Sequence, residues 1–467
     1  MNPRAWWIGA AIGLVGCSQT PLPTLSSSDV PAAFEQPVAP NAPIWPAGGW
    51  WQGYGDAQLS KLVGEAQANN LDLAQAEARL RQADARARQA GAALLPTIGL
   101  GGNIDTFYGQ ANGTPAHETD YGAGLGASYE LDFWGKNRAL ADAADAARTA
   151  SAADRQTVAL TITAGVTNTY FQLLSLRERI AVAQASLQSS QVTLNLVERR
   201  VRAGSAAAAD ATQERANMAA QRAILPTLQQ QELETRDALA ILLGRPPEGF
   251  VVAGANLNGI SAPSIAPGLP SALLGRRPDI ATAEANLAAA HANLVAARAA
   301  FLPDITLNAN AGLQYPALAA AVQTLPGVGF GAGAAASLVQ IIFDGGRRTA
   351  VTDEAKAHEE ELLAAYRAAV VNAFSDVENA LGNLNHLTAQ QEALQDQVMQ
   401  AEMVLSAARR KYDSGNSDFL VVTTAERSLY AARDQLSDVR RAQLSASVAL
   451  YKALGGGYTS GDKALEH

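Results

Sequence analysis

The sequence predicts a mixed α and β membrane protein. Its parts are a trimeric twelve-stranded β-barrel, four strands from each chain, and a long α-helical barrel continuous with it, built from an internal duplication. Three observations predict this. From Val166 to Val201 apolar residues recur every seven positions (Val166, Leu173, Ile180, Leu187, Leu194, Val201), with a weaker register at Thr169, Leu176, Ala183, Ser190 and Val197. Four stretches alternate apolar with small or polar residues. Most of these features occur twice, offset by 207 to 211 residues, as in Leu71-Asp72-Leu73 against Pro278-Asp279-Ile280 and Leu243-Gly244 against Leu454-Gly455.

The N-terminus carries Arg4 before an apolar run, Ala5 to Val15, that is too short to span a bilayer. This is the layout of a signal peptide over 1–16. The run ends in Leu14-Val15-Gly16-Cys17-Ser18, which resembles a bacterial lipobox, and Cys17 is the single cysteine of the chain. A lone thiol in an exported protein has no disulfide partner, so lipidation of Cys17 is expected, with Ser18 favouring the outer membrane. Residues 17–49 are polar and rich in proline (Pro21, Pro23, Pro31, Pro37, Pro40, Pro43, Pro46) and read as an extended tether.

The first copy then runs in order. An alanine-rich helix, Ala57 to Ala93, falls in segment 50–95 and stops before Pro96. Segment 96–134 holds a strand pair. Ile98, Leu100 and Ile104 oppose Asn103 and Asp105, a polar loop carries Gly109, Asn112, Gly113 and Pro115, and Tyr121, Ala123, Leu125, Ala127, Tyr129, Leu131 and Phe133 oppose Gly122, Gly124, Gly126, Ser128, Glu130 and Asp132. Segment 135–244 is a helical hairpin. Its first helix extends back to about Arg138, a rod of roughly 95 Å at about 1.5 Å per residue, and it turns at Ala203-Gly204-Ser205. A seven-residue seam of this length demands partners along the whole rod.

The second copy repeats the design. Segment 245–302 is a linker and helix, and 303–343 a strand pair (Ile305 to Gln314, and Val328 to Phe343). Segment 344–455 is a second hairpin turning at Asp413-Ser414-Gly415-Asn416, and 456–467 is a tail. The seam of its long helix runs Val370, Phe374, Val377, Leu381, Leu384, slips near Leu387, and resumes at Leu394, Val398 and Leu405. Strands of about ten residues with one apolar and one nearly charge-free polar face suit a transmembrane barrel. The aromatics near their ends (Phe107, Tyr121, Phe133, Trp134, Phe343) suit an interfacial belt. Four strands cannot close in hydrocarbon without leaving backbone groups unpaired. Three chains supply twelve strands, and the hairpins then pack into a tube on the periplasmic side.

These residues resemble an outer-membrane efflux duct of the TolC, OprM and NodT type. The resemblance rests on Leu131-Asp132-Phe133-Trp134-Gly135-Lys136 and its duplicate Phe343-Asp344-Gly345-Gly346-Arg347-Arg348, on Arg276-Arg277-Pro278-Asp279-Ile280, and on the ending Leu450 to Gly457. It implies a homotrimer in the outer membrane of a Gram-negative bacterium, lipid-anchored, serving as the passive exit duct of a tripartite pump. Its partners would be a periplasmic adaptor (membrane fusion protein) and an inner-membrane transporter of RND or major-facilitator type, with outer-membrane lipid around the barrel and no cofactor. It also implies a gate at the second turn, mapping to Tyr412, Leu420, Thr424 and Arg427. Thr424 departs from the pattern, where a carboxylate is expected; Asp413 and Asp418 are nearby acidic alternatives, with Arg409, Arg410 and Lys411 as candidate partners. The same charges also fit a solvated hairpin tip. Asp344 is expected to cap the following helix, with Gly345 and Gly346 allowing the turn.

Catalytic readings fare poorly. The five histidines lie on different elements without metal-ligand spacing, and no Gly-x-Ser-x-Gly elbow or P-loop occurs. A net charge of −9 disfavours nucleic acid. Two other functions share the pattern: the exit duct of a type I protein secretion system, and a lipid-tethered periplasmic coiled-coil scaffold.

Overall fold

The computed structural model describes residues 30–36, 44–111, 114–316 and 329–459. The expected signal peptide, Cys17 and most of the tether lie outside the described residues. A 3₁₀ turn, Trp50–Tyr54, leads into α1 (Ala57–Asn69) and α2 (Leu71–Ala92). Then come β1 (Thr97–Ala111), β2 (Thr114–Leu131), α3 (Lys136–Arg202) and α4 (Ala208–Leu242). A short α5 (Pro270–Leu273) precedes α6 (Pro278–Ala299), β3 (Asp304–Pro316), β4 (Gly329–Val339), α7 (Arg347–Asp413) and α8 (Phe419–Ala453). The two long helices each have 67 residues, their return helices 35, and α2 and α6 22. At about 1.5 Å per residue the long helices span roughly 100 Å.

Three boundaries differ from expectation. The helix expected from Ala57 to Ala93 is two helices, broken at Asn70. Asn70 sits in the extended region (ψ 131°), its side chain accepts from the Asp72 and Leu73 amides, and its Nδ2 donates to the Leu242 carbonyl at 2.8 Å. A cap that also ties down a distant helix end outweighs the propensity of the surrounding alanines. The loop expected around Gly109 and Pro115 is instead strand, since Gly109 pairs with Ala116 and Gln110 with Pro115; Asn112 and Gly113 of that expected loop lie outside the described residues. The last strand ends at Val339, not Phe343. The side chain of Arg348, held by Asp344, donates to the Ile341 carbonyl at 2.5 Å, which diverts the chain from the sheet into α7.

The long seam holds. Val166, Leu173, Leu176, Ala183, Ser190, Leu194 and Val197 are all buried. Helix α3 packs on α2, α4, α6 and α8, so helices from both halves of the chain assemble against it. Where the seam of α7 slips, from Asn385 to Ala393, no residue is buried. The largest core gathers around Trp50, Tyr54, Tyr170, Phe171 and Tyr451, with Trp50 stacked on Tyr451 at 5.1 Å and the Tyr54 hydroxyl 2.6 Å from Ser447 Oγ. Two left-handed glycines are each set against the backbone that opens a 22-residue helix. Gly244 (φ 70°) meets Asn69 before α2, and Gly455 (φ 86°) meets Arg276 before α6.

The strands form one antiparallel sheet in the order β1-β2-β3-β4. Among the described residues β1 and β4 each pair on one side, so the sheet is open at both edges. No helix makes an extended contact with it.

Candidate functional site

Two regions bear on function: the two faces of the sheet and the tips of the helical hairpins. The register carries one apolar row straight across the four strands: Leu100 opposes Leu125, Leu125 opposes Ala311, and Ala311 opposes Ala332. Neighbouring rows add Ile98, Leu307, Leu313, Phe330 and Leu338 to the same face, and these large side chains are exposed in the isolated chain. The opposite face carries polar side chains such as Asn103, Ser128, Thr306 and Asn308 towards its ends and glycine across its middle. Gly101, Gly124, Gly312 and Gly331 form one row, and Gly99, Gly126, Asn310 and Gly333 the next. A glycine within a strand weakens it, so their concentration on one face, with Gly102 on the other, marks a surface kept open. At Gly124 and Gly312 the close approach of the two strands requires it, since a Cβ on either would come within 3 Å of the neighbouring backbone. At Gly99, Gly101, Gly126 and Gly331 a Cβ would meet nothing within 4 Å.

The sheet is joined to the long helices by two related caps. Asp132 accepts from the Asn137 and Arg138 amides at 2.9 and 2.7 Å. Asp344 accepts from the Gly346 and Arg348 amides, both at 3.2 Å, with Gly345 and Gly346 at φ 67° and 85°, so the expected cap is present. Lys136 bridges Glu130 and Asp304, each at 2.7 Å, and clasps the ends of β2 and β3. Arg277, at the start of α6, is 8% exposed, donates to Asp279 and Asp376, and reaches the Ala453 carbonyl at 3.2 Å.

At the far end both hairpins turn alike. Gly204 (φ 72°) and Gly415 (φ 77°) adopt the left-handed conformation that ends a helix, and the next amides, of Ser205 and Asn416, reach back to the Arg200 and Lys411 carbonyls at 2.9 Å. The expected gate residues separate into two groups here. Tyr412 is buried, its ring 5.3 Å from that of Phe419. Arg427 donates to Asn217 on α4 at 2.9 Å, and Asp418 caps α8 through the Leu420 amide at 2.9 Å. Leu420 and Thr424 are exposed on the outer surface of α8, and the Thr424 hydroxyl donates to the Leu420 carbonyl. Asp413 is exposed, 3.8 Å from Arg200. Of the candidate partners, Arg409 pairs with Glu426 at 2.7 Å and Arg410 donates to Ser406.

Sequence reasoning missed Arg200. Its guanidinium lies 4.6 Å above the Tyr412 ring and donates to the Tyr412 and Asp413 carbonyls, each at 2.6 Å. Both carbonyls belong to the last turn of α7, where the Tyr412 carbonyl also accepts from the Gly415 amide at 3.0 Å, so a cation from the first hairpin helps to cap the second. Burial and the nearby Asp210 carboxylate raise the pKa of the Tyr412 hydroxyl above its ordinary value. The run Arg199-Arg200-x-Arg202 was the available signal, a last helical turn with more positive charge than its own dipole needs. Arg200→Ala is expected to remove about 1–3 kcal/mol of charged hydrogen bonding and cation–π contact. The tips would loosen, and single-channel conductance in planar bilayers would rise above that of the unaltered chain; equal conductance would remove Arg200 from the closure.

Among the described residues no helix is long and apolar enough to cross a membrane, and no three His, Cys, Asp or Glu side chains converge as a metal site. Known proteins match this architecture over nearly its whole length. The chain is 40% identical to the pyoverdine export outer membrane protein OpmQ of Pseudomonas putida, covering 96% of each chain. It is 30% identical to the cation efflux system protein CusC of Escherichia coli, over 96% of this chain and 98% of that one. Among solved structures it superposes on the outer-membrane channel OprN with a TM-score of 0.85 at 28% identity, covering 93% and 98% of the two chains. It superposes on the outer membrane protein VceC of Vibrio cholerae with a TM-score of 0.81 at 30% identity, over 88% of this chain and all of that one. The family model for outer membrane efflux proteins matches residues 62–245 and 269–456, each span holding a helix, a strand pair and a helical hairpin. On its fold, its two matched halves and its full-length relatives, the chain belongs to the outer membrane efflux protein family and serves as an exit duct in the outer membrane.

Proposed function

We propose that three copies of this chain close one twelve-stranded barrel, with β1 of each copy pairing to β4 of the next. The observation that carries this is the sheet that is open at both edges, with a row of exposed large apolar side chains on one face and a row of glycines on the other. In hydrocarbon each unpaired backbone group costs several kcal/mol, and an even number of alternating strands closes antiparallel at every seam. The apolar face meets lipid, and the glycine face lines water. The equal lengths of α3 and α7, and of α4 and α8, support the internal duplication, and six such hairpins in the trimer form the periplasmic helical barrel. Cys17 carries lipid that anchors the same end.

The duct performs no chemistry. An inner-membrane transporter of RND or major-facilitator type supplies energy, and a periplasmic adaptor bridges it to the hairpin tips. Tyr412, Asp413, Asp418, Leu420, Thr424 and Arg427 form the zone of closure there. Small molecules are the cargo, as the relatives named for pyoverdine export and for cation efflux suggest. Those two relatives share this architecture with different cargoes, so pump and adaptor choose what enters.

The test is assembly. Full-length chain extracted in mild detergent is expected to run unheated at about three times the 48.6 kDa chain mass and to collapse to one chain mass on boiling. It should also form discrete channels in planar bilayers. A water-soluble monomer that needs no detergent would overturn the barrel and favour a tethered scaffold.

A further inference from the structure

Behind the tips the packed helices bury a polar cluster centred on two carboxylates, which Arg409 and Arg427 join to the tip contacts. Glu214 of α4 is fully buried, and neither of its carboxylate oxygens has a well-formed hydrogen bond. Beside it the Nδ2 of Asn217 and the Oε1 of Gln221 are likewise unpaired. Glu426 of α8, 4% exposed, accepts from Thr193 Oγ1 at 2.8 Å and from Arg409 Nη2 at 2.7 Å. Ser190 of α3 lies 3.4 Å from Glu426 and accepts from Gln221 at 3.3 Å. Arg427 donates to Asn217.

All four hairpin helices therefore meet at two carboxylates. Helix α3 presents the neutral Ser190 and Thr193, α4 the neutral Asn217 and Gln221 beside Glu214, α7 the cation Arg409, and α8 Glu426 and Arg427. Arg409 is bound to Glu426 and Arg427 to Asn217, which leaves Glu214 without a cation of its own. Burying an ionised carboxylate without a partner is strongly unfavourable, whereas a protonated one is tolerated.

We propose that Glu214 is a proton-binding latch: the closed packing of α4 against α3 and α8 holds one proton per chain on this carboxyl, and its loss loosens the tips. The proposal rests on the duct reading above. Burial, and then the negative charge of Glu426, push the Glu214 carboxyl up to about 7, against the weaker pull of Ser190, Asn217 and Arg427. When the helices part, water reaches the carboxyl and its pKa falls towards the ordinary value of 4.5. The packed state thus binds the proton more tightly than the loosened one. Acid favours closure, and closure weakens as pH rises through about 7.

Two measurements test this on the full-length protein in detergent or planar bilayers. Conductance is expected to rise between pH 6 and 8. Glu214→Gln, which keeps the shape and cannot ionise, should hold the acid value throughout. Glu426→Gln should move the midpoint down by roughly one pH unit. Hydrogen exchange over residues 208–222 should be faster in the unaltered chain than in Glu214→Gln at pH 8 and equal at pH 5.5, because comparison at each pH cancels the intrinsic exchange rate. A Glu214→Gln channel with the original pH profile, or equal exchange at both pH values, would overturn the latch. Failure of every protein to form channels would count against the duct instead, and the exchange measurement would still decide the latch.

Discussion

Gly455→Ala is expected to abolish most of the folded trimer, while Gly204→Ala, equally left-handed, should lower its unfolding temperature by a few degrees. Both positions have positive φ, 86° and 72°. Alanine there costs about 1–2 kcal/mol in backbone strain. Gly204 has nothing within 4 Å of a new Cβ, so this strain is its whole cost. At Gly455 the Cβ would be driven into the Arg276 carbonyl oxygen, and the neighbouring Gly456 and Gly457 are also left-handed. Backbone must shift at a joint where Arg277 already binds Asp279, Asp376 and the Ala453 carbonyl. Overpacking of this kind adds about 1–3 kcal/mol. In the proposed trimer three chains carry the change. Gly244→Ala should behave like Gly455→Ala, because its Cβ would strike the Asn69 carbonyl at the matching joint of the first copy. Thermal unfolding followed by the loss of the heat-sensitive trimer band measures all three. Gly455→Ala no worse than Gly204→Ala would show that the joint yields without cost.

The same joint shows how far the sequence could be read. The Leu-Gly endings stood out as a repeat at one offset, and so did the helix starts at Leu71 and Pro278, but nothing in one dimension says that these ends touch. Periodicity is a local property, and it reported the long helices, both turns and the alternating strands to within a few residues. Contacts between segments are not local. Asn70 looked like one more polar residue in an alanine-rich helix, yet its backbone amide closes one helix while its side chain opens the next and holds a third. Ser190 looked like a weak seam position; it is weak because it faces the buried Glu426 instead of a leucine. Glu214 and Glu426 sit at inward spacing, with Ala211 and Met218 on one helix and Val422 and Leu429 on the other. A carboxylate on an apolar stripe was therefore a legible signal of a buried charge. The gate candidates were harder. Tyr412 and Arg427 were chosen by resemblance, and within one chain both are engaged by the other hairpin, Tyr412 through Arg200 and Arg427 through Asn217.

Leu100→Arg should prevent assembly of the barrel, and Gly101→Arg, one residue along the same strand, should permit it while narrowing the channel. Adjacent residues of a strand face opposite sides. Leu100 lies near the middle of the four-strand register, in the row that runs through Leu125, Ala311 and Ala332, and is 80% exposed in the isolated chain. With that face in lipid, an arginine near the bilayer midplane costs about 2–4 kcal/mol. Three per trimer bring the total to roughly 6–12 kcal/mol, comparable to the whole stability of an ordinary domain. Gly101 lies in the glycine row, where a Cβ meets nothing within 4 Å, so an arginine there starts without a clash and extends towards the proposed lumen. Its cost is confined to the channel: three guanidinium groups should lower conductance and shift selectivity towards anions. The two substitutions add the same charge at neighbouring positions, so differences in expression or net charge cancel, and the comparison reads the orientation of the sheet alone. Unheated electrophoresis for trimer, followed by bilayer recording of whichever variant assembles, distinguishes the outcomes. If Gly101→Arg blocked assembly and Leu100→Arg formed normal channels, the faces would be reversed. If both assembled with unchanged conductance, neither face would meet lipid, and the alternation would belong to a sheet in water.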